Sequence, residues 1–191
     1  IISGGIAAYK SLDLIRSLIK IQCEVKTILT KGGSEFVTPL SIASLSKNKV
    51  YSDMYSVENE SEMDHISLSR WADLILIAPA TSNIIAKMSQ GISDDLATTV
   101  VQASNKSIFV CPAMNVRMWE HASNKQNLEK IKSYNYRIIG PFNGEMACGE
   151  YGDGRMADIE YILKEIDNFF KSKSNNKKFK ALLRLGQHMN T

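Results

Sequence analysis

Two short, almost wholly apolar runs constrain the fold of this chain most strongly. Residues 74–78 read Leu-Ile-Leu-Ile-Ala, and residues 107–111 read Ser-Ile-Phe-Val-Cys. Such runs are typical of strands that are buried on both faces, as in parallel sheets. Helical segments are predicted between them, at 84–89 and 95–103. The pattern therefore predicts strand–helix–strand units of an α/β domain.

The rest of the chain continues this alternation. Further strands are predicted at 24–29 and 136–139, and further helices at 8–21, 36–45 and 158–170. Residues 1–2 are interpreted as the end of a buried strand whose beginning is missing, 46–64 as polar and irregular, and 140–156 as a long glycine-containing loop. Strands that alternate with helices predict a doubly wound, Rossmann-like or flavodoxin-like parallel sheet in a three-layer αβα arrangement.

The net charge of +3 comes from the end of the chain. Residues 171–191 hold six Lys or Arg residues and no acid, whereas residues 1–170 hold 17 basic and 20 acidic residues. A basic run of this kind is typical of a solvated linker. We therefore expect one domain at 1–171 and a basic linker or tail at 172–191. Only one aromatic residue, Phe179, stands among the basic ones, which does not make an aromatic-interleaved basic patch, so a nucleic-acid partner is not predicted.

Neither a membrane partner nor a metal is predicted. All apolar runs are much shorter than the roughly 20 residues that cross a bilayer, and no signal peptide is recognisable, so we expect a cytoplasmic protein. Cys23, Cys111 and Cys148 are widely spaced and form no Cys-x-x-Cys pair, which argues against a disulfide framework or a zinc site. Cys23 and Cys111 are interpreted as small core residues.

A glycine turn follows the first predicted strand. In open parallel sheets, ligands bind beyond the carboxyl ends of the strands, and the segments expected there are 3–7, 30–36, 79–83 and 112–115. The first reads Ser-Gly-Gly-Ile-Ala, in which glycines allow close approach to a ligand and the helix start attracts phosphate. It is not the Gly-x-Gly-x-x-Gly fingerprint, so it favours a mononucleotide over a dinucleotide. A plain structural turn is the alternative.

Hydroxyl and amide side chains follow the run at 74–78. The segment Pro-Ala-Thr81-Ser82-Asn83 could hydrogen-bond a flavin ring edge, or its ribityl and phosphate oxygens. Alternatively, Ser82 or Asn83 caps the helix that begins near Ile84. Both interpretations can hold at once.

Two further segments carry side chains suited to a decarboxylation: one could bind the carboxylate of a substrate, and the other could donate the proton that replaces it. Asn115, in Cys-Pro-Ala-Met-Asn, can bind a carboxylate while remaining neutral, which suits a substrate that loses CO2; helix capping is the alternative. Cys148 lies in a loop with three glycines, which could close over a site. Because thiols are mostly protonated at neutral pH, it could donate a proton. An incidental cysteine in a surface loop is the alternative.

The histidines are less informative. A single His such as His65, in Met-Asp-His-Ile-Ser-Leu, is as often filler as functional. No role is assigned to His121 or His188.

Taken together, the motifs resemble one family. They are Gly-Gly-Ile-Ala-Ala-Tyr-Lys, Asp-His-Ile-Ser-Leu, Ala-Pro-Ala-Thr-Ser-Asn, Pro-Ala-Met-Asn and Ala-Cys-Gly-x-x-Gly-x-Gly-Arg-Met. In this order they are similar to the homo-oligomeric flavin-containing cysteine decarboxylases, and within these to the enzymes that act on phosphopantothenoylcysteine. The resemblance covers about residues 1–170. It is to the amino-terminal half of a bifunctional bacterial protein whose second half is a ligase, so residues 172–191 would be a ligase remnant or an added tail.

The resemblance implies specific site residues. His65 matches the catalytic histidine, Asn115 the contact to the substrate carboxylate, and Cys148 the proton donor. The implied substrate contacts are Asn115, Met114, Arg155 and Met156. The implied contacts to FMN are Gly4, Gly5, Ile6, Thr30, Thr81, Ser82, Asn83, Ile84 and Ala113.

The implied reaction is the FMN-dependent conversion of 4′-phosphopantothenoylcysteine to 4′-phosphopantetheine and CO2, in coenzyme A biosynthesis. Oxidation of the thiol-bearing carbon to a thioaldehyde permits loss of CO2, and the resulting enethiol is then reduced. The implied assembly is a homotrimer, alone or as the building block of a dodecamer. The alternatives are a peptidyl-cysteine decarboxylase, a flavin prenyltransferase and a non-catalytic regulatory subunit that binds a phosphatase.

Overall fold

Short parallel strands form the centre of the molecule. The computed structural model describes residues 1–52, 54 and 64–176. The strands of its central sheet are β1 (Thr27–Ile28), β2 (Val50–Tyr51), β3 (Leu74–Ala80), β4 (Ser107–Pro112) and β5 (Arg137–Ile138). All three strand pairs are parallel: β1 with β2, β3 with β4, and β4 with β5. The predicted tail lies outside the described residues from 177 onward.

Residues 1–3 join β1 to β3. The Ile2 N–H donates to the Ile28 carbonyl at 2.9 Å, and the Ile1 carbonyl accepts from the Ala78 N–H at 3.0 Å. The spatial order is therefore β2, β1, residues 1–3, β3, β4, β5. Counted along the chain with residues 1–3 first, this is the order 3-2-1-4-5-6 of a doubly wound fold. It confirms the predicted fold class and places the switch point between residues 1–3 and β3.

Helices cover both faces of the sheet. A 3₁₀ turn, Ile6–Tyr9, precedes the first α-helix. The helices of the described part are α1 (Lys10–Lys20), α2 (Lys31–Ser34), α3 (Pro39–Ser46), α4 (Asp64–Trp71), α5 (Ser82–Gln90), α6 (Leu96–Ala103), α7 (Val116–Glu120), α8 (Ala122–Ser133) and α9 (Ile159–Asn176). None of these described helices combines the length and apolar character that a membrane span requires.

Side chains of β4 alternate between two apolar cores, as expected for a strand with helices on both sides. Ile108 and Val110 pack into one core with residues of α5, α6 and α8. Phe109 and Cys111 pack into the other with residues of α1 and α9. Cys111 is 0% exposed, which confirms that this cysteine is a core residue, and this burial raises the pKa of its thiol to about 12.

Four helices were not predicted from the sequence pattern: α2, α4, α7 and α8. Helix α7 has only five residues and buries none of its side chains. Helix α8 has twelve residues but buries only Asn124, Leu128 and Ile131, so its apolar stripe is narrow. The irregular segment predicted at 46–64 also contains β2 and the first residue of α4.

The prediction of a loop at 140–156 is wrong for most of that segment. It contains an antiparallel hairpin of β6 (Phe142–Glu145) and β7 (Tyr151–Arg155), in which Gly144 pairs with Gly152. Glycine-rich segments have low strand propensity, so the pattern concealed the strands. The tip is closed by a hydrogen bond from the Met146 N–H to the Glu150 carbonyl at 2.9 Å.

Candidate active site

The glycine turn and the end of β3 are tied together by Ser3. Its buried hydroxyl donates to the Pro79 carbonyl at 2.7 Å and accepts from the Thr81 N–H at 3.1 Å. Gly5 has φ +114°, which an L side chain rarely adopts, and a Cβ at this position would meet the Thr81 methyl at 3.8 Å. The predicted ligand segments 3–7 and 79–83 therefore lie side by side at the switch point.

The loop after β1 closes this glycine cradle (residues 3–6, 30–32 and 81–83). A Cβ on Gly4 would lie 3.1 Å from the carbonyl carbon and oxygen of Gly32, so two backbones meet where no side chain fits. Within the described part of the chain, the N–H groups of Gly4 and Gly5 donate to no protein acceptor. Free backbone donors on an open glycine turn fit a phosphate, as expected for a mononucleotide site.

Two threonines at the strand ends cap the helices that follow. The Thr30 hydroxyl accepts from the Gly33 N–H at 3.1 Å, and the Thr81 hydroxyl accepts from the Ile84 N–H at 3.3 Å. The cap before Ile84 is thus Thr81 and not Ser82 or Asn83, as the alternative interpretation had it. A hydroxyl that accepts in this way retains its own hydrogen for a ligand oxygen.

The other predicted cofactor residues differ in accessibility. Ser82 and Asn83 are the first two residues of α5. Ser82 is half-buried, whereas Asn83 and Ile6 are exposed. Ile84 is only 3% exposed and packs in the core, so its side chain is unavailable to a ligand. Ala113 follows β4, and its N–H donates to the Ala80 carbonyl at 3.0 Å, which holds its loop beside the end of β3.

Asn115 is held in a defined orientation. It is the N-cap of α7, and its side-chain Oδ1 accepts from the Met118 N–H at 2.8 Å. The capping interpretation is thereby confirmed. Because the cap uses the oxygen, the two amide hydrogens are the remaining donors, and no described residue accepts them. An exposed, neutral NH2 group of fixed direction suits a carboxylate.

The hairpin that carries Cys148 docks directly beside Asn115. The Met114 N–H donates to the Gly154 carbonyl at 3.0 Å, and the α-carbon of Gly152 faces Val116 so closely that a Cβ would lie 2.9 Å from its methyl. Cys148 is exposed in the turn at the hairpin tip. These two contacts hold β7, the strand that follows the tip, against the segment that contains Asn115.

Arg155, the last residue of β7, and Met156, which follows it, have different surroundings. Arg155 is half-buried and forms an ion pair with Asp158, at 2.7 Å between Nη1 and Oδ1. Burial, together with the nearby Arg155 charge, lowers the pKa of Lys10, and Asp158 partly opposes this. Met156 is 1% exposed and packs in the core with α9. Its side chain is therefore a core residue, which differs from the predicted substrate contact.

His65 lies on a different element from the other predicted catalytic residues. It lies in the first turn of α4 and is half-buried. Among the described contacts, no hydrogen bond joins His65 to Asn115 or Cys148. The structure therefore brings Asn115 and the Cys148 hairpin together, but it does not join His65 to them.

A pocket beside Asn115 contains residues that the sequence pattern missed. Its volume is about 330 Å³, and it is lined by Ser82, Asn115, Arg117, Met118, His121 and Ser123. Arg117 and His121 are four positions apart, a spacing that places side chains on one helical face. That spacing was the available signal, but it becomes meaningful only once α7 is known to exist. No group of three metal-ligating side chains occurs in the described ranges.

Comparisons with known proteins identify the family of this chain. The family model described as Flavoprotein matches residues 1–171. The chain is 42% identical over 174 residues to the coenzyme A biosynthesis bifunctional protein CoaBC of Haemophilus influenzae, covering 91% of this chain but 44% of that protein. The chain thus spans less than half the length of this relative.

Two further relatives match over most of their own length. A probable phosphopantothenoylcysteine decarboxylase of Streptococcus mutans is 36% identical, with 87% of this chain and 94% of that protein covered. A solved structure of a PPC decarboxylase mutant complexed with pantothenoylaminoethenethiol has a TM-score of 0.79 and 29% identity, covering 89% of this chain and 95% of that one. With the family model matched over nearly the whole described domain, the chain belongs to the flavoprotein family.

Proposed function

We propose that this chain catalyses the FMN-dependent decarboxylation of 4′-phosphopantothenoylcysteine to 4′-phosphopantetheine and CO2. The observation that carries the proposal is the docking of the Cys148 hairpin on the segment that holds Asn115. A carboxylate-binding amide and a proton-donating thiol thereby belong to one structural unit, next to a glycine cradle. The similarity to phosphopantothenoylcysteine decarboxylases supports the substrate.

The cradle would hold FMN. Its phosphate would accept from the free N–H groups of Gly4 and Gly5, and the hydroxyls of Thr30 and Thr81 would donate to phosphate or ribityl oxygens. A solved structure described as the FMN-binding protein AtHal3, 31% identical with a TM-score of 0.75, supports this choice of flavin. When bound, FMN supplies the redox chemistry that gives the electron pair of the departing carboxylate somewhere to go.

Asn115 would bind the substrate carboxylate through its amide hydrogens. A neutral donor suits this position, because a cation would stabilise the carboxylate more strongly than the uncharged CO2 that forms from it. The cap to the Met118 N–H fixes the direction of the amide before substrate arrives, so little ordering is required on binding.

Cys148 would act after CO2 has left, by donating its thiol proton to the carbon skeleton of the enethiol. Exposure at the hairpin tip leaves the thiol accessible to substrate. We further propose a cytoplasmic location, where an exposed thiol of this kind stays reduced, and assembly as a homotrimer. His65 would complete the catalytic set.

Flavin titration and CO2 release test the proposal together. The purified protein should quench FMN fluorescence with a 1:1 end point and bind neither NAD nor FAD comparably. With FMN it should release CO2 from 4′-phosphopantothenoylcysteine and yield 4′-phosphopantetheine by mass spectrometry. A protein that binds no FMN and forms no CO2 would defeat the assignment.

A further inference from the structure

We propose that the pocket beside Asn115 binds the phosphate group of the substrate, with Arg117 and His121 as its donors. The inference rests on the proposed function. It assigns a binding pocket to the phosphate, which lies at the opposite end of the substrate from the carboxylate. The pocket is continuous with Asn115, which is one of its lining residues, and its volume of about 330 Å³ accommodates a phosphate together with part of the attached arm.

Arg117 offers a free guanidinium. No acidic side chain pairs with it in the part of the chain that the structure describes, whereas Arg155, the other arginine near the site, already binds Asp158 at 2.7 Å. An unpaired guanidinium can donate two parallel N–H hydrogen bonds to the oxygens of one phosphate. Of these two arginines, Arg117 is therefore the one with its charge available.

His121 supplies a second donor in a fixed tautomer. Its Nδ1 accepts from the Ser123 N–H at 3.2 Å and lies 2.7 Å from the Ser123 hydroxyl. A ring nitrogen that accepts from a backbone N–H carries no hydrogen, so in the neutral ring the hydrogen is on Nε2. The cap that starts α8 thus leaves Nε2–H as a donor beside Arg117.

The substrate is long enough to reach from Asn115 to His121. Asn115 and His121 flank α7, and the six residue steps from one to the other rise about 9 Å at 1.5 Å each. About twelve bonds join the carboxylate carbon of the substrate to its phosphorus, through cysteine, β-alanine and the hydroxy acid, so the chain reaches about 15 Å when extended and spans 9 Å when bent. Both anionic ends can therefore be held at once, one by the cap of α7 and the other beyond its last turn.

The test compares two substrates that differ only in the phosphate. Steady-state rates are measured with 4′-phosphopantothenoylcysteine and with pantothenoylcysteine, on the FMN-loaded protein and its Arg117→Gln variant. Loss of a charged hydrogen-bonding pair should raise KM for the phosphorylated substrate roughly 10- to 100-fold, with kcat nearly unchanged. KM for pantothenoylcysteine should not change. Arg16→Gln, which removes an exposed arginine of α1 that lies 3.7 Å from Asp13, is the matched control and should leave both KM values unchanged.

Titration calorimetry with 4′-phosphopantothenate measures binding to the phosphate pocket independently of decarboxylation. Affinity should fall in Arg117→Gln, recover partly in Arg117→Lys, and not change in Arg16→Gln. If the unaltered protein binds this probe through Arg117 but forms no CO2, the subsite stands and the proposed function fails. If it turns over both substrates with equal KM, or if Arg117→Gln alters neither KM nor binding, the pocket does not hold the phosphate.

Discussion

Asn115 illustrates how one side chain can serve both the fold and the chemistry. Its oxygen caps α7 and its amide hydrogens remain for substrate. Aspartate is an equally good N-cap, so Asn115→Asp preserves the helix start while replacing the donors with a negative charge. The substitution therefore separates the structural role from the binding role, which alanine would not do.

The contrast between Asn115→Asp and Cys148→Ser is the sharpest test at the scale of residues. Asn115→Asp sets a like charge against the substrate carboxylate and should weaken binding about 100-fold or more, with melting temperature nearly unchanged. Cys148→Ser replaces the thiol with a far less acidic hydroxyl, so proton donation should slow by orders of magnitude while CO2 loss persists. Mass spectrometry of the products should then detect the enethiol.

Cys23→Ser provides the control for this contrast. Cys23 is half-buried, lies just beyond α1, and its thiol pKa is raised by burial, so its substitution should leave both half-reactions intact. If Cys148→Ser still formed 4′-phosphopantetheine at the parent rate, Cys148 would lose its assigned role. The exposed thiol would then be incidental.

At the scale of elements, the hairpin approaches the Asn115 segment most closely at Gly154. A Cβ on Gly154 would lie 2.2 Å from the Met114 carbonyl oxygen, whereas a Cβ on Gly91, which also has positive φ, meets nothing closer than 3.8 Å. Gly154→Ala should therefore displace the hairpin and give the Cys148→Ser product pattern. Gly91→Ala should cost only backbone strain of about 1–3 kcal/mol and leave the products unchanged. Full 4′-phosphopantetheine formation by Gly154→Ala would show that docking at Met114 is dispensable.

The same hairpin shows why the sequence predicted some elements and not others. Strands β3 and β4 were predicted because their apolar composition is itself the signal for burial on both faces. The hairpin has no such signal, because contacts to Met114 and Val116 hold it and not the propensity of its own residues. Helix α7 was missed for a related reason, since it buries no side chain.

At the scale of the molecule, the strand order brings the predicted ligand segments together. The order 3-2-1-4-5-6 places residues 3–6, 30–32 and 81–83 around one switch point, which the rule for open parallel sheets anticipated. The pocket at Arg117 and His121 lay beyond sequence reasoning, because it depends on which face α7 turns toward Ser82. Topology could thus be predicted, whereas the orientation of a short exposed helix could not.

Exposed apolar side chains near the cradle bear on the proposed trimer. They occur on the segments that follow the glycine turn and β1: Ile6 is 55% exposed, Tyr9 54%, Phe36 47% and Leu40 77%. Apolar side chains that are left exposed in this way favour contact with another chain. Because these residues follow the cradle segments 3–6 and 30–32 in the chain, we expect them to face the neighbouring subunits and to place the proposed FMN site near the subunit boundaries.

Leu40→Asp tests this expectation at the scale of the whole assembly. Sedimentation should give the mass of three 21.3 kDa chains for the parent protein and of one chain for the variant, because a buried carboxylate without a partner opposes association. FMN should bind more weakly to the separated chains. Ile21→Asp, at the far end of α1 and 48% exposed, is the matched control and should remain trimeric. A parent protein that sediments as a single chain with full activity would contradict both the trimer and the placement of FMN at its boundaries.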